Sequence, residues 1–245
     1  MVARGAGPFG GNPFSILILI ILVYAFITGR IAAPLRNAAA DPAAFVGFLA
    51  AILLGITVHE FMHAYVAHRL GDDTGRLLGR MRLDPLAHLD LWGSLLIVLI
   101  GFGYGKPVPV NEARLRGGRR GMSLVAVAGP LTNVTLAAIC AIPLRFGAAD
   151  QVFEPYAQVL FYIVLYNCLL AVFNLIPVPP LDGSKVVYGF LSPRQAYSWH
   201  SYEQYGPFII LAAIFLLPVL GINILGPLVI GPAQALARLF LGPGF

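Results

Sequence analysis

The sequence predicts an all-α polytopic membrane protein, and three observations carry that prediction. Of 245 residues, 58% are hydrophobic and only 11% charged, against about 25% charged in a soluble domain. Several apolar runs approach or exceed the roughly 20 residues that a helix needs to cross a bilayer. Lys and Arg are shared unevenly among the stretches between those runs. The expectation is one membrane-embedded domain over 1–245, with about five to six transmembrane helices, a re-entrant segment and a short β element on the cytoplasmic side. The net charge of +5 reads as topology, not as nucleic-acid binding. Cys140 and Cys168 sit in apolar runs without partner spacing and read as small core residues.

Residues 1–13 are rich in Gly and Pro. Phe14 to Thr28 reads as a first span. A cleavable signal peptide is disfavoured, because the preceding region holds only Arg4 and Ala38-Ala39-Ala40 lies too far past the apolar core. Ala43 to His68 is the second span. Residues 69–88 are polar and turn-rich. Leu89 to Phe102 is apolar but too short for a straight crossing, so a re-entrant segment is expected. Gly103 to Asn111 alternates, and Pro107 and Pro109 would strip the donors from one edge of a strand there, while the other edge could still pair. Met122 to Leu144 and Tyr156 to Ile176 are further spans, the latter stopped by Pro177, Pro179 and Pro180. Residues 184–205 form a polar connector. The C-terminal helical region, 206–241, is broken at Pro218, Gly221 and Pro227.

Nine Lys and Arg lie from Arg69 to Arg120, two in 30–42 and one in 145–155. The positive-inside rule then puts 69–120 in the cytoplasm, with Arg114, Arg116, Arg119 and Arg120 as an anchor near anionic lipid. Depths follow. His59 lies ten residues before Arg69, roughly 15 Å along a helix. Asn133 lies twelve past Gly121, roughly 18 Å. Asp182 follows a span that returns to the same side. The three are expected at similar depth below the cytoplasmic surface.

The chemistry starts at His59, Glu60 and His63, an HExxH pattern. Positions i and i+4 share a helix face, so both imidazoles can hold one zinc ion while Glu60 takes a proton from water. The rival reading, polar groups bonded across helices, is costly inside a membrane, where ionisable groups are expensive. A catalytic zinc needs a third protein ligand and one open position. Asp182 is the expected ligand. Alone, Pro-Pro-Leu-Asp-Gly also reads as a turn, but unwound backbone at membrane depth is tolerated only beside protein or a watery cavity. Asn133 reads as a donor to the oxyanion or as a helix–helix hydrogen bond. Asn174 reads equally as a cap near Pro177. His68, His88 and His200 are not expected to be ligands.

These stretches resemble the site-2 protease family of intramembrane zinc metalloproteases. The resemblance rests on His59-Glu-Phe-Met-His63, Leu83-Asp-Pro-Leu-Ala-His88, Gly105-Lys-Pro-Val-Pro-Val-Asn111, Gly129-Pro-Leu-Thr-Asn133 and Asn174-Leu-Ile-Pro-Val-Pro-Pro-Leu-Asp182-Gly183. It runs in family order through about 45–190, and it marks 43–190 as the catalytic core. It implies cleavage of peptide bonds in or beside a substrate's transmembrane helix. It implies one zinc ion on His59, His63 and Asp182, Glu60 activating water, and Asn133 at the substrate site. The proline-rich strand is implied to lie near the substrate.

The chain departs from many relatives in having no room for a PDZ domain or a nucleotide-sensing module, because residues 103–120 are too few. Met62 stands where a small residue is common. An unwound substrate could pair with 106–111 by β-addition, which makes Pro107, Val108 and Asn111 expected substrate contacts. The expected partners are a transmembrane protein substrate and the bilayer of the cell membrane, with the site opening toward the cytoplasm; no nucleic acid is expected, and no feature assigns an oligomeric state. The alternatives are a metal ion transporter using His and Asp as an ion site and a catalytically inactive membrane scaffold.

Overall fold

The computed structural model describes residues 33–101, 103–147 and 154–242, together with 23, 24, 26 and 29. The expected first span, Phe14 to Thr28, lies almost wholly outside the described residues. A short helix α1 (Ala33–Ala40) leads into α2 (Pro42–Arg69). Asp41 begins α2: its Oδ1 accepts the Ala44 N–H at 2.9 Å, and Pro42 takes the first helical position, where a missing N–H costs nothing. The other oxygen of Asp41 accepts from Gln158 Nε2 at 2.8 Å. Past the loop comes α3 (Leu91–Ile100), then α4 (Arg119–Arg145) and α5 (Glu154–Asn174). A proline-rich turn leads to α6 (Asp182–Tyr188), and α7 (Pro193–Glu203) follows. Residues 206–230 are a broken helical stretch, and α8 (Gly231–Leu241) ends the described chain.

Three helices, α2, α4 and Pro155–Asn174 within α5, are long and apolar enough to cross a membrane. A fourth results if α7 and Gly206–Val219, bent by 58°, count as one span. The protein is therefore an all-α membrane protein. Helix α3 has ten residues, too short for a straight crossing. Residues 103–111 form no ladder: among the described residues the only bridge is Leu89 with Gly105, antiparallel.

The three long helices pack on one another through rows of small residues. Gly47, Ala51, Gly55, His59, His63 and Ala67 recur every four positions on α2, and all are buried. Gly121, Val125, Gly129, Asn133, Ala137 and Ala141 do the same on α4. Lipid gives helices no hydrophobic reason to associate, so close van der Waals approach and interhelical hydrogen bonds must hold them. Small residues permit that approach. A Cβ on Gly47 would lie 2.9 Å from the Tyr162 ring, and one on Gly55 would lie 2.8 Å from Asn167. The outward residues Val46, Leu54, Leu124, Leu131 and Ile139 are large, apolar and exposed, as a lipid-facing surface requires. Helix α8 closes the far end, with Ala233, Ala237 and Leu241 packed on Ala137, Ala141 and Val164. Arg145 donates to the carbonyls of Leu239 and Phe240, where the end of a helix lacks partners.

At the other end, Asp72 ties the loop together. It is fully buried. Its Oδ1 accepts from Thr74 Oγ1 at 2.5 Å and Thr74 N–H at 3.1 Å, and its Oδ2 accepts the Asn111 N–H at 2.6 Å. Burial alone would raise this carboxyl's pKa. The hydrogen bonds from Thr74 and Asn111, with Arg114 nearby, outweigh that and hold it below the usual carboxylate value. A pKa lowered by folding stabilises the fold above the unfolded value and is lost as pH falls through the folded one. Asp72→Asn should therefore cost about 1.5–3 kcal/mol at neutral pH. Its deficit against wild type should shrink as pH drops below the ordinary value of 3.8, read as melting temperature against pH.

Candidate metal centre

The two buried rows place the polar groups. His59 and His63 lie on the small-residue face of α2, opposite Gly129 and Asn133 on α4. Asp182 arrives from the third side. The prolines after Asn174 end α5, and the chain folds back so tightly that a Cβ on Gly183 would lie 2.2 Å from the Leu175 carbonyl oxygen. Ser123 then donates to the carbonyls of Lys185 and Val186, at 3.2 and 2.9 Å, which fixes α6 against α4.

His59 Nε2 lies 2.9 Å from Asp182 Oδ2, and His63 Nε2 lies 3.1 Å from the same oxygen. All three residues are buried. The remaining ring nitrogens fix the tautomers. His63 Nδ1 is 2.7 Å from the Val125 carbonyl oxygen, which only accepts, so Nδ1 carries the proton. His59 Nδ1 is 2.6 Å from Asn133 Oδ1. Asn133 Nδ2 donates to the Gly55 carbonyl at 3.1 Å and to Asn167 Oδ1 at 2.8 Å, so its oxygen must be the atom facing His59, and His59 Nδ1 donates. With both imidazoles neutral, each Nε2 therefore presents a lone pair to a carboxylate oxygen. Three acceptors converge on one point, and a cation is what such a set fits.

The spacing suits zinc. Bonds of about 2.0–2.2 Å place tetrahedral neighbours roughly 3.3–3.6 Å apart, a few tenths of an ångström beyond the 2.9 and 3.1 Å observed. Space has been left as well. A Cβ on Gly129 would lie 2.6 Å from His63 Nε2 and 2.7 Å from His59 Nε2. Among the described residues, His59, His63 and Asp182 are the group of three whose donor atoms all lie within 4.8 Å of one another.

The site opens on a cavity of about 740 Å³ whose walls are chiefly apolar, among them Ile56, Ile97, Leu170 and Val229. Glu60, Pro107 and Val108 also line it. Glu60 Oε2 accepts the Val108 N–H at 2.9 Å, while its Oε1 has no hydrogen-bond partner among the described residues. Asn111 is placed elsewhere: its N–H goes to Asp72, and its Oδ1 caps the turn at Glu112–Arg114 through the Ala113 N–H at 3.1 Å. Asn174 Nδ2 donates within its own helix to Leu170. His88 is fully buried and bonds the Arg82 carbonyl at 2.7 Å, while His68 pairs with Asp73 and His200 with Glu203. None of these three joins the metal cluster. Sequence reasoning missed Asn167, whose presence as a carboxamide in an otherwise apolar span is a readable signal.

The profile of Peptidase family M50 matches residues 143–217, a stretch that contains Asp182. The chain is 35% identical over 202 residues to "Putative zinc metalloprotease YwhC" of Bacillus subtilis, covering 77% of this chain and 88% of that one. The chain belongs to this family. A second relative, "Putative zinc metalloprotease Rip2" of Mycobacterium tuberculosis, is 31% identical over 207 residues, 80% of this chain and 75% of its own. No solved structure gives a significant match. As a member of the site-2 protease family, the chain is an intramembrane zinc metalloprotease, and zinc is its cofactor. Gly129→Ala should lower zinc affinity at least tenfold, as crowding of a ligand shell does, although alanine favours a helix by about 0.5–1 kcal/mol over glycine. Chelator competition alongside unchanged helicity checks this.

Proposed function

We propose that His59, His63 and Asp182 hold the zinc ion and that Glu60 is the general base in hydrolysis of peptide bonds in or beside transmembrane segments. One observation supports it above others: a carboxylate one residue from a ligand histidine faces the cavity, held by one oxygen and free at the other. When bound, zinc acts as a Lewis acid, polarising the scissile carbonyl and acidifying water. Glu60 takes a proton from the attacking water and delivers it to the leaving amine. The water oxygen ends on the carbonyl carbon as the C–N bond breaks. The apolar walls receive the substrate's hydrophobic residues and limit bulk water around the reacting bond.

Asn133 holds the His59 tautomer in this reading. Both its amide hydrogens are engaged by Gly55 and Asn167, which leaves none to donate to an oxyanion. Of the expected substrate contacts, Pro107 and Val108 line the cavity. The site opens toward the cytoplasm of the cell membrane, on the side of the nine Lys and Arg between 69 and 120. Five to six spans, with Phe14–Thr28 as the first and α3 as a re-entrant segment, complete the topology. The 106–111 stretch serves as the short β element once a substrate strand lies beside it.

Glu60→Gln should keep one zinc per chain and cut no single-span membrane protein that the wild type cuts, with loss of at least 100-fold. Cleavage by the wild type that chelation abolishes separates a protease from a transporter or an inert scaffold. Zinc lost from Glu60→Gln, or cleavage retained by it, would remove Glu60 from the base role. Asn133→Ala should weaken zinc binding by about 10–100-fold, measured by competition with a chromogenic chelator.

A further inference from the structure

We infer that Arg80 and Asp72 are positioning residues that hold 106–111 so that the Val108 N–H keeps the Glu60 carboxylate in place; this rests on Glu60 being the base. Both charges are buried, at 6% and 0% exposure. Burying a charge costs several kcal/mol unless good partners offset it. Neither is in an ion pair within 4.0 Å among the described residues. Each places hydrogen bonds on the backbone of the same six residues.

Arg80 Nη2 donates to the carbonyls of Lys106 and Pro107. Asp72 Oδ2 accepts the Asn111 N–H at 2.6 Å, with its other oxygen pinned by Thr74. The holds bracket Val108 on both sides. The Lys106 N–H adds a bond to the His88 carbonyl at 2.7 Å. Between the holds, Pro107 and Pro109 have no N–H. Val108 therefore carries the only donor from 107 to 109, and that donor goes to Glu60 Oε2 at 2.9 Å. Among the described residues no sheet ladder fixes this segment. Side chains at its two ends fix it, and the Val108 donor orients the base. Geometry of this kind matters in the transition state, where displacement by about 1 Å can cost about 100-fold in rate.

Hydrogen exchange at Val108 tests the inference on the full-length, zinc-loaded protein in nanodiscs. Neither neighbouring proline has an amide hydrogen, so mass gained between Pro107 and Pro109, located by fragmentation, reports Val108 alone. Arg80→Met and Asp72→Asn should each speed that exchange about tenfold or more, the loss expected for a hydrogen bond with a charged partner. Amides of α2, α4 and α5 should stay protected, with zinc at one per chain. Turnover should fall about 100-fold, and Arg80→Lys should recover part of both the turnover and the protection at Val108. On a Val108→Pro background, Arg80→Met should cost less than about twofold more, because the donor it acts through is gone. Unchanged exchange at Val108, or losses that simply multiply, would overturn the proposal. Glu60→Gln run alongside separates the two readings: if it still cleaves, the base assignment fails on its own, while the exchange data still decide whether the clamp exists.

Discussion

Everything in this molecule depends on three lone pairs being forced to one point. With neutral imidazoles His59 Nε2, His63 Nε2 and Asp182 Oδ2 all accept, and both nitrogens lie about 3 Å from the oxygen. Without positive charge between them that arrangement is repulsive, and the low dielectric of a helix bundle magnifies the repulsion. A cation held there would turn the same arrangement into a tie that joins α2 directly to the turn that starts α6. The rows of small residues follow from this requirement. Helices can bring ligands from both sides of an ion only if nothing bulky stands between their backbones, and Gly55 and Gly129 occupy the places where a methyl group would intrude. Glycine in a helix costs about 0.5–1 kcal/mol relative to alanine, which is small against the desolvation that an unpaired buried charge would cost.

Behind His59 runs a chain of oriented amides. Asn167 Nδ2 donates to the Ile163 carbonyl at 2.9 Å, and its oxygen accepts from Asn133, whose oxygen accepts from His59. Each group's orientation is fixed by the one behind it, starting from a backbone carbonyl that can only accept. The proton on His59 is thus placed by a helix two contacts away. All three side chains are buried, so water cannot compete for these bonds. A buried network with every member satisfied rigidifies what it touches.

Much of this was legible in the sequence because helix periodicity is simple. HExxH places two imidazoles one above the other, and charge counts with helix rise brought His59, Asn133 and Asp182 to a common depth; in the structure Asn133 and Asp182 each lie within 3 Å of His59. The role of Asn133 was not readable from spacing, since whether its amide hydrogens are free depends on Gly55 and Asn167, which lie on other helices. Arg80 and Asp72 gave no signal at all. They sit in a polar loop among many other charges, and only their burial distinguishes them. Alternation in 103–111 suggested a strand. Alternation describes side chains, however, and with Pro107 and Pro109 stripping one edge only the other can pair; its Val108 N–H goes to Glu60.

That same removal explains why an irregular segment can line the cavity. Backbone at membrane depth must have its polar groups satisfied within the protein or by cavity water. Proline deletes a donor outright, so Lys-Pro-Val-Pro has two N–H groups to satisfy instead of four. One is taken by the His88 carbonyl and the other by Glu60. The Lys106 and Pro107 carbonyls go to Arg80, whose guanidinium presents several donors from one side chain. The prolines that strip one edge of this stretch are therefore what allow it to stand beside a zinc site with both its amide hydrogens bonded.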